Sequence, residues 1–128
     1  MNPNHLQLAA RVLIAQIFFI AGIRKALTFA GTAAYFTRLG LPAAELVTVL
    51  VILIEIGGSI ALVLGWRLRD VAIGLGVFTL ASAFIGHAFW SVEPAQFAGQ
   101  LNNFMKNVAM AGGFLLLALQ GHKSAQQG

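Results

Sequence analysis

The chain has 128 residues, of which 59% are hydrophobic and 9% are charged, and its formal net charge is +4. Soluble proteins carry about 25% charged residues, so this composition excludes an ordinary soluble globule and indicates an integral membrane protein. The basic residues are scattered without a run, which argues against nucleic acid as a partner and favours membrane anchoring. The absence of cysteine excludes disulfides, thiolate metal sites and CxxC redox motifs, and no metal site is predicted.

Four apolar stretches are each long enough to cross a bilayer, for which a helix needs about 20 residues. They are predicted to be helices at residues 6–27, 42–65, 70–90 and 102–120. Between the first two spans, Phe29, Ala33 and Phe36 recur at helical spacing and predict a short interfacial helix within residues 28–41. Residues 91–101 form a second interfacial segment, which Pro94 separates from the third span.

The predicted architecture is an all-α membrane protein, a bundle of four transmembrane helices with short interfacial helices in the first and third loops. Residues 1–121 make one transmembrane domain, and residues 122–128 form a polar tail that is predicted to be disordered. Four spans place both termini on one side, together with Arg67, Arg69 and Lys123. The positive-inside rule then predicts cytoplasmic termini in a multi-pass protein of the bacterial inner membrane.

Every span carries an ionisable residue where lipid disfavours charge, at a cost of roughly 2.5 to 3.5 kcal/mol on insertion scales. Such residues usually face the interior of a helix bundle or a site. At about 100° per residue, each of them lies on a stripe of small or polar residues. The stripes are Arg11, Phe18, Gly22 and Lys25 in span one; Thr48, Glu55 and Ser59 in span two; Gly76, Leu80, Ala83 and His87 in span three; and Asn102, Lys106, Met110 and Gly113 in span four.

Depth in the membrane divides these residues. A rise of about 1.5 Å per residue places Glu55 near mid-membrane and Arg11 near the inner end of its span. Lys25, His87 and Lys106 lie near the outer end and form a candidate outer-leaflet pocket. As the one carboxylate inside a span, Glu55 needs a cation or a proton to balance its charge. Arg11, Lys25 and Lys106 are its candidate partners, and depth does not choose among them.

Two interpretations stay open for most of these side chains. Glu55 fits a functional site and a structural ion pair equally well. His87 is followed by Phe89 and Trp90, so it fits an aromatic interface anchor as well as a ligand site. The two lysines lie near span ends, where a snorkelling anchor and a site residue are equally compatible with the sequence.

Several sequence pieces, taken in order, resemble the DoxX family of small four-helix membrane proteins. They are Arg11, residues 19–25 (FIAGIRK), residues 39–42 (LGLP), residues 55–58 (EIGG) with Leu62 and Gly65, residues 87–90 (HAFW) and residues 104–113 (FMKNVAMAGG). The family is named after a subunit of a thiosulfate:quinone oxidoreductase, and similar proteins are linked to respiratory chains and oxidative-stress complexes. The resemblance therefore implies the fold, the membrane location and a redox-linked setting.

The first functional hypothesis is a redox-linked subunit of a membrane oxidoreductase system that binds a quinone or another lipid-soluble cofactor. No catalytic residue is assigned, and electron transfer would need a partner subunit, because the chain has no cysteine pair, no GxGxxG motif and no second intramembrane histidine. A quinone needs an apolar slot with a few hydrogen-bond donors. The candidate cofactor-binding residues are Lys25, Glu55, His87, Trp90, Asn103 and Lys106.

The second hypothesis is a non-enzymatic membrane scaffold or assembly factor, in which the charged residues form structural ion pairs that fix helix register. A third, a small transporter, is disfavoured by the length of the chain and by the lack of a broken helix near mid-membrane. The lipid bilayer is a partner under every hypothesis. Homo-oligomers are also expected, because four helices of this length leave much apolar surface exposed.

Overall fold

The computed structural model describes residues 2–128, and within that range the chain forms five α-helices and no strand. The helices are α1 (Pro3–Leu27), α2 (Phe29–Arg38), α3 (Ala44–Leu64), α4 (Leu68–Gly86) and α5 (Pro94–Gln127), with one 3₁₀ turn at Phe89–Ser91. Four segments are long and apolar enough to cross a membrane, namely α1, α3, α4 with the 3₁₀ turn, and α5. The predicted all-α class with four spans is therefore confirmed.

The chain divides into two compact units, the first ending at Trp66 and the second beginning at Arg67. The first unit contains α1, α2 and α3, and the second contains α4 and α5. A single transmembrane domain over residues 1–121 stays a prediction.

The first unit begins and ends with recognisable helix-end chemistry. The side chain of Asn2 caps α1 by accepting a hydrogen bond from the backbone N–H of Asn4 at 2.9 Å, and Pro3 occupies the first helical position. At the far end of α3, Gly65 takes a left-handed conformation with φ of 74°. The backbone N–H of Gly65 donates to the carbonyl of Leu62, and the backbone N–H of Trp66 donates to the carbonyl of Ala61. These bonds satisfy two of the carbonyls that a helix end leaves without partners.

The packing inside the first unit follows the predicted stripes. The buried residues of α1 are Ala15, Phe18 and Gly22, and those of α3 are Thr48, Glu55, Ser59 and Leu62. The short helix α2 lies within the segment predicted as interfacial and buries Ala33 and Phe36. The sequence therefore identified both contacting faces of this unit.

Helix α5 is longer than its predicted span, because it begins at Pro94 and takes in most of the segment predicted as interfacial. Proline is well tolerated at the first helical position, where its missing N–H has no partner to lose. The predicted interfacial segment, residues 91–101, therefore lies mostly within α5, and the 3₁₀ turn Phe89–Ser91 precedes it. Residues 122–127, predicted as a disordered tail, continue α5, since no proline interrupts them and His122 contacts Gln126 one turn later at 3.0 Å.

The second unit packs on faces that differ in part from the predicted ones. On α4, Gly76 and Ala83 are buried as expected, whereas Leu80 is 39% exposed and Thr79 takes its place. On α5 the buried residues are Ala111, Phe114, Leu117, Ala118 and Gly121, not the stripe through Lys106, Met110 and Gly113. The two faces of α5 differ by one residue, or about 100°. The buried face of α5 includes the small residues Ala111, Ala118 and Gly121, which allow close approach to a neighbouring helix.

Candidate functional site

Lys25 and Glu55 form an ion pair between α1 and α3. The ammonium nitrogen of Lys25 lies 3.0 Å from each of the two carboxylate oxygens of Glu55. The Glu55 side chain is 7% exposed and that of Lys25 is 27% exposed. The structure therefore selects Lys25 from the three cations that the sequence left open as partners of Glu55.

The backbones of α1 and α3 approach closely at this pair. A Cβ atom added to Gly22 would lie 2.6 Å from Cγ1 of Ile56 and 3.2 Å from Cβ of Glu55. Helical side chains lean toward the N-terminus of their own helix, so Lys25 leans back toward the level of Gly22. The glycine brings the carboxylate of α3 within reach of a lysine placed one turn further along α1.

The polar neighbours of Glu55 on α3 do not share its carboxylate. The hydroxyl of Thr48 donates to the backbone carbonyl of Ala44 at 2.7 Å, and that of Ser59 donates to Ile56 at 2.8 Å. Among residues 2–128, Lys25 is the one hydrogen-bond donor to Glu55. Within the described residues, Lys25 and Glu55 therefore bind each other and no third side chain, as expected of an ion pair that joins two helices.

Arg11 lies about 21 Å from Lys25 toward the N-terminal end of α1, counting 14 residues at about 1.5 Å each. Its guanidinium lies against Gly65 at the end of α3, so close that a Cβ on this glycine would collide with Nη1. The Nε atom of Arg11 is buried and has no hydrogen-bond partner in the described part of the chain. Arg11 is therefore not a partner of Glu55.

In the second unit, His87 ends α4 and bonds to α5. Its Nδ1 lies 2.8 Å from Oε1 of Gln100, and its backbone N–H bonds to the carbonyl of Ala83. The imidazole is half-buried. Gln100 was not among the predicted site residues, because span four was expected to begin at Asn102. The signal that finds it is helical spacing: Gln100, Phe104 and Asn107 share one face of α5.

An aromatic cluster follows His87 and joins the ends of α4 and α5. It consists of Phe84, Phe89, Trp90, Phe97 and Phe104. The Phe89 ring packs edge-on against three neighbours, with centroid distances of 5.1 Å to Trp90, 5.9 Å to Phe97 and 5.2 Å to Phe104. Edge-to-face contacts are a favoured aromatic geometry. Trp90 remains 56% exposed, so the cluster presents an open aromatic surface.

Asn103 and Lys106 lie on α5 but differ in placement. Asn103 is half-buried and three residues from Gln100, on an adjoining face of the helix. Lys106 is exposed, and it lies two residues from Phe104, about 160° away around the helix. The amide that does reach α4 is Asn107, whose Nδ2 donates to the carbonyl of Thr79 at 3.4 Å. The predicted grouping of Lys25 with His87 and Lys106 stays a prediction.

The described residues contain no group of three or more His, Cys, Asp or Glu side chains that could hold a metal ion. Two polar pairs that include predicted site residues join helices: the Lys25–Glu55 ion pair in the first unit, and the His87–Gln100 pair beside the aromatic cluster in the second. The first is saturated by its own members. The second leaves hydrogen-bonding groups open, and it is the better candidate for holding a ligand.

Comparison with known proteins gives a consistent result. The family model described as DoxX matches residues 6–88. The inner membrane protein YphA of Escherichia coli (strain K12) is 38% identical over 116 residues, which cover 91% of this chain and 83% of that protein. The inner membrane protein YqjF of the same organism is 40% identical over 116 residues, covering 89% and 82% respectively. No solved structure gives a significant match.

Proposed function

Because this chain belongs to the DoxX family of integral membrane proteins, we propose that it is a quinone-binding accessory subunit of a membrane oxidoreductase system. The aromatic cluster beside His87 is the observation that carries the proposal. A quinone headgroup is a planar, conjugated ring with two carbonyl oxygens. It suits a site with aromatic surface and a few polar groups that fix its orientation.

Two polar groups next to the cluster have capacity for a ligand. The indole N–H of Trp90 donates no hydrogen bond within residues 2–128, and the Nε2 atom of His87 has no partner there either. With Gln100 Oε1 accepting from Nδ1, the neutral imidazole keeps its lone pair on Nε2. Trp90 could then donate to a quinone carbonyl, and His87 could accept from a quinol hydroxyl.

The other predicted residues fit this site unequally. Asn103 is half-buried near Gln100 and could supply a third polar group. Lys25 and Glu55 bind each other, so they are assigned to structure in this proposal. Lys106 is directed away from the Phe104 side of α5 and is assigned no contact with the quinone. A bound quinone would carry the electrons and protons, whereas the residues of this chain would bind and orient it for a partner subunit.

The side of the membrane follows from the loop charges. With both termini in the cytoplasm, the Arg67 end of α4 faces the cytoplasm and the His87 end faces outward. The proposed quinone site then lies near the outer leaflet.

A fluorescence experiment tests the quinone site. The chain has two tryptophans, so Trp66→Phe leaves Trp90 as the single reporter, and Trp90→Phe leaves Trp66 as the matched control. Decylubiquinone added to the protein in nanodiscs is expected to quench Trp90 in a saturable manner. His87→Ala should weaken this binding about tenfold, whereas Lys106→Gln should leave it unchanged. Equal, non-saturating quenching of Trp66 and Trp90 would disprove a specific site.

A non-enzymatic scaffold is the second candidate, and the saturated Lys25–Glu55 pair is the observation that favours it. In that case the charged pair fixes the register of α1 against α3 and the chain holds other membrane subunits in place. The scaffold function is supported if His87→Ala leaves decylubiquinone binding unaffected while Glu55→Gln impairs folding. The two candidates are thus separated by different residues.

A further inference from the structure

Within residues 2–128, Arg11 is a cation without an acidic partner. The ion pairs within the described residues join Lys25 to Glu55 and Arg67 to Asp70, and neither includes Arg11. The Nε atom of Arg11 is also buried and without a hydrogen-bond partner. A buried donor of this kind costs free energy unless a ligand or solvent satisfies it.

The nearby helix end does not satisfy this guanidinium. Cations are favourable near helix C-termini, and Arg11 lies beside Gly65 at the end of α3. However, the carbonyls of Ala61 and Leu62 already accept from the backbone N–H groups of Trp66 and Gly65. Within the described residues, the guanidinium forms no hydrogen bond with a carbonyl of this helix end, so hydrogen bonding to α3 does not satisfy Arg11.

An open apolar groove of about 300 Å³ lies between α1 and α3 and is lined by the chain neighbours of Arg11 and Gly65. This volume lies at the lower end of the range for small-molecule pockets, roughly 300 to 1,000 Å³. Its walls include Val12, Ala15 and Phe19 from α1, and Ile60, Val63 and Leu64 from α3. Val12 follows Arg11 in the chain and Leu64 precedes Gly65, so the groove ends one residue from the place where the guanidinium lies against α3.

The guanidinium of Arg11 and the groove lie at the membrane depths of a lipid headgroup and its acyl chains, respectively. Helix α3 has 21 residues, or about 32 Å, close to the thickness of a hydrocarbon core of about 30 Å. The Gly65 end of α3, and with it the guanidinium of Arg11, then lies at headgroup level. The groove lies beneath it, at the level of the acyl chains.

We propose that Arg11 and this groove bind one anionic phospholipid. The phosphate pairs with the guanidinium, which presents several donors in a planar fork that matches phosphate oxygens. One acyl chain lies in the groove between α1 and α3. Charge complementarity selects this occupant, because a cation with no ion pair within residues 2–128 lies near the headgroup end of a groove whose surface is almost entirely apolar. The proposal is independent of the quinone site, which uses other residues.

Native mass spectrometry of the full chain tests the lipid site. The detergent-solubilised protein is titrated with dioleoylphosphatidylglycerol and, separately, with dioleoylphosphatidylcholine. The first bound phosphatidylglycerol is expected to bind about tenfold more tightly than phosphatidylcholine. Arg11→Gln should remove this preference. Arg24→Gln, which removes an exposed arginine near the other end of α1, should keep it.

A second variant tests the groove. Ile60→Trp places a bulky ring in the channel and should weaken binding of both lipids, while Arg11→Lys should retain most of the preference for phosphatidylglycerol. Thermal unfolding of each variant in detergent establishes that it is folded. The proposal is overturned if Arg11→Gln and Arg24→Gln lose binding equally, if neither lipid is preferred, or if Ile60→Trp has no effect. It is also overturned if Ile60→Trp changes only the dimer fraction, because a second copy would then occupy the groove.

Discussion

Lys25 of α1 contacts both carboxylate oxygens of Glu55 of α3, each at 3.0 Å. This contact joins the acidic residue at the middle of span two to a lysine near the end of span one. Of the three cations that the sequence allowed as partners of Glu55, the structure pairs Lys25 with it. At the same level, Gly22 of α1 lies against the backbone of α3. The first unit is therefore organised around a charged contact next to a close backbone approach.

Breaking the Lys25–Glu55 pair should destabilise the protein more than removing it altogether. Lys25→Met leaves an unpaired carboxylate and Glu55→Gln an unpaired ammonium, and each should lower the free energy of unfolding by about 3 kcal/mol. The double variant Lys25→Met/Glu55→Gln should recover most of this loss, since neither charge remains. Unfolding titrations in mixed detergent micelles with SDS measure the four values. Additive effects of the two single changes would show that the residues do not interact.

Gly22→Ala should disturb the packing of α1 on α3. The added Cβ would approach Cγ1 of Ile56 to 2.6 Å and the backbone nitrogen of Ile56 to 3.3 Å, so the helices must shift. Overpacking of this kind costs about 1 to 3 kcal/mol. The matched control is Gly57→Ala on α3, where an added Cβ meets nothing within 4 Å. The same detergent titration compares them, and equal stability of the two variants would contradict the close approach.

Gly121→Ala should destabilise the second unit, because Gly121 of α5 packs against the start of α4. Its added Cβ would lie 2.6 Å from the backbone nitrogen of Arg69, an atom that cannot rotate away. Gly112→Ala on the same helix is the control, since nothing lies within 4 Å of its added Cβ. A lower midpoint temperature of unfolding is expected for the first variant alone. A similar midpoint for both would mean that α5 does not pack on α4 this far along.

Both termini should face the cytoplasm. Green fluorescent protein fused after the last residue is expected to fluoresce, and alkaline phosphatase fused there is expected to be inactive, because phosphatase folds only outside the inner membrane. A phosphatase inserted after Glu93 should be active, since that loop lies on the opposite side. The reverse pattern in the paired fusions would invert the topology and move the proposed quinone site to the inner leaflet.

Much of the fold could be predicted from the sequence because it depends on local composition. The four apolar lengths, the period of Phe29, Ala33 and Phe36, and the isolation of Glu55 among apolar residues are visible without coordinates. The stripes of α1 and α3 were also predicted correctly, since the charged residues of each helix share one line with small or polar residues.

The face of α5 could not be predicted in the same way. In a membrane helix nearly every face is apolar, so hydrophobic periodicity carries little information about which one meets a neighbour. The sequence favoured the line through Lys106 because that residue is charged, whereas the structure packs the line through Asn107, Ala111 and Phe114. Charge alone was a poor guide near the end of a span, where a lysine can reach the surface.

The sequence by itself determined that this protein lies in a membrane, how many spans it has, and that Glu55 needs a balancing charge. Those properties follow from the free-energy cost of placing polar groups in lipid, which depends on each residue separately and not on the tertiary structure. Only the tertiary structure decided that Lys25 is the partner of Glu55, that Arg11 lies beside Gly65, and that His87 meets Gln100. These are distances between helices, and they depend on how closely small residues allow two backbones to approach.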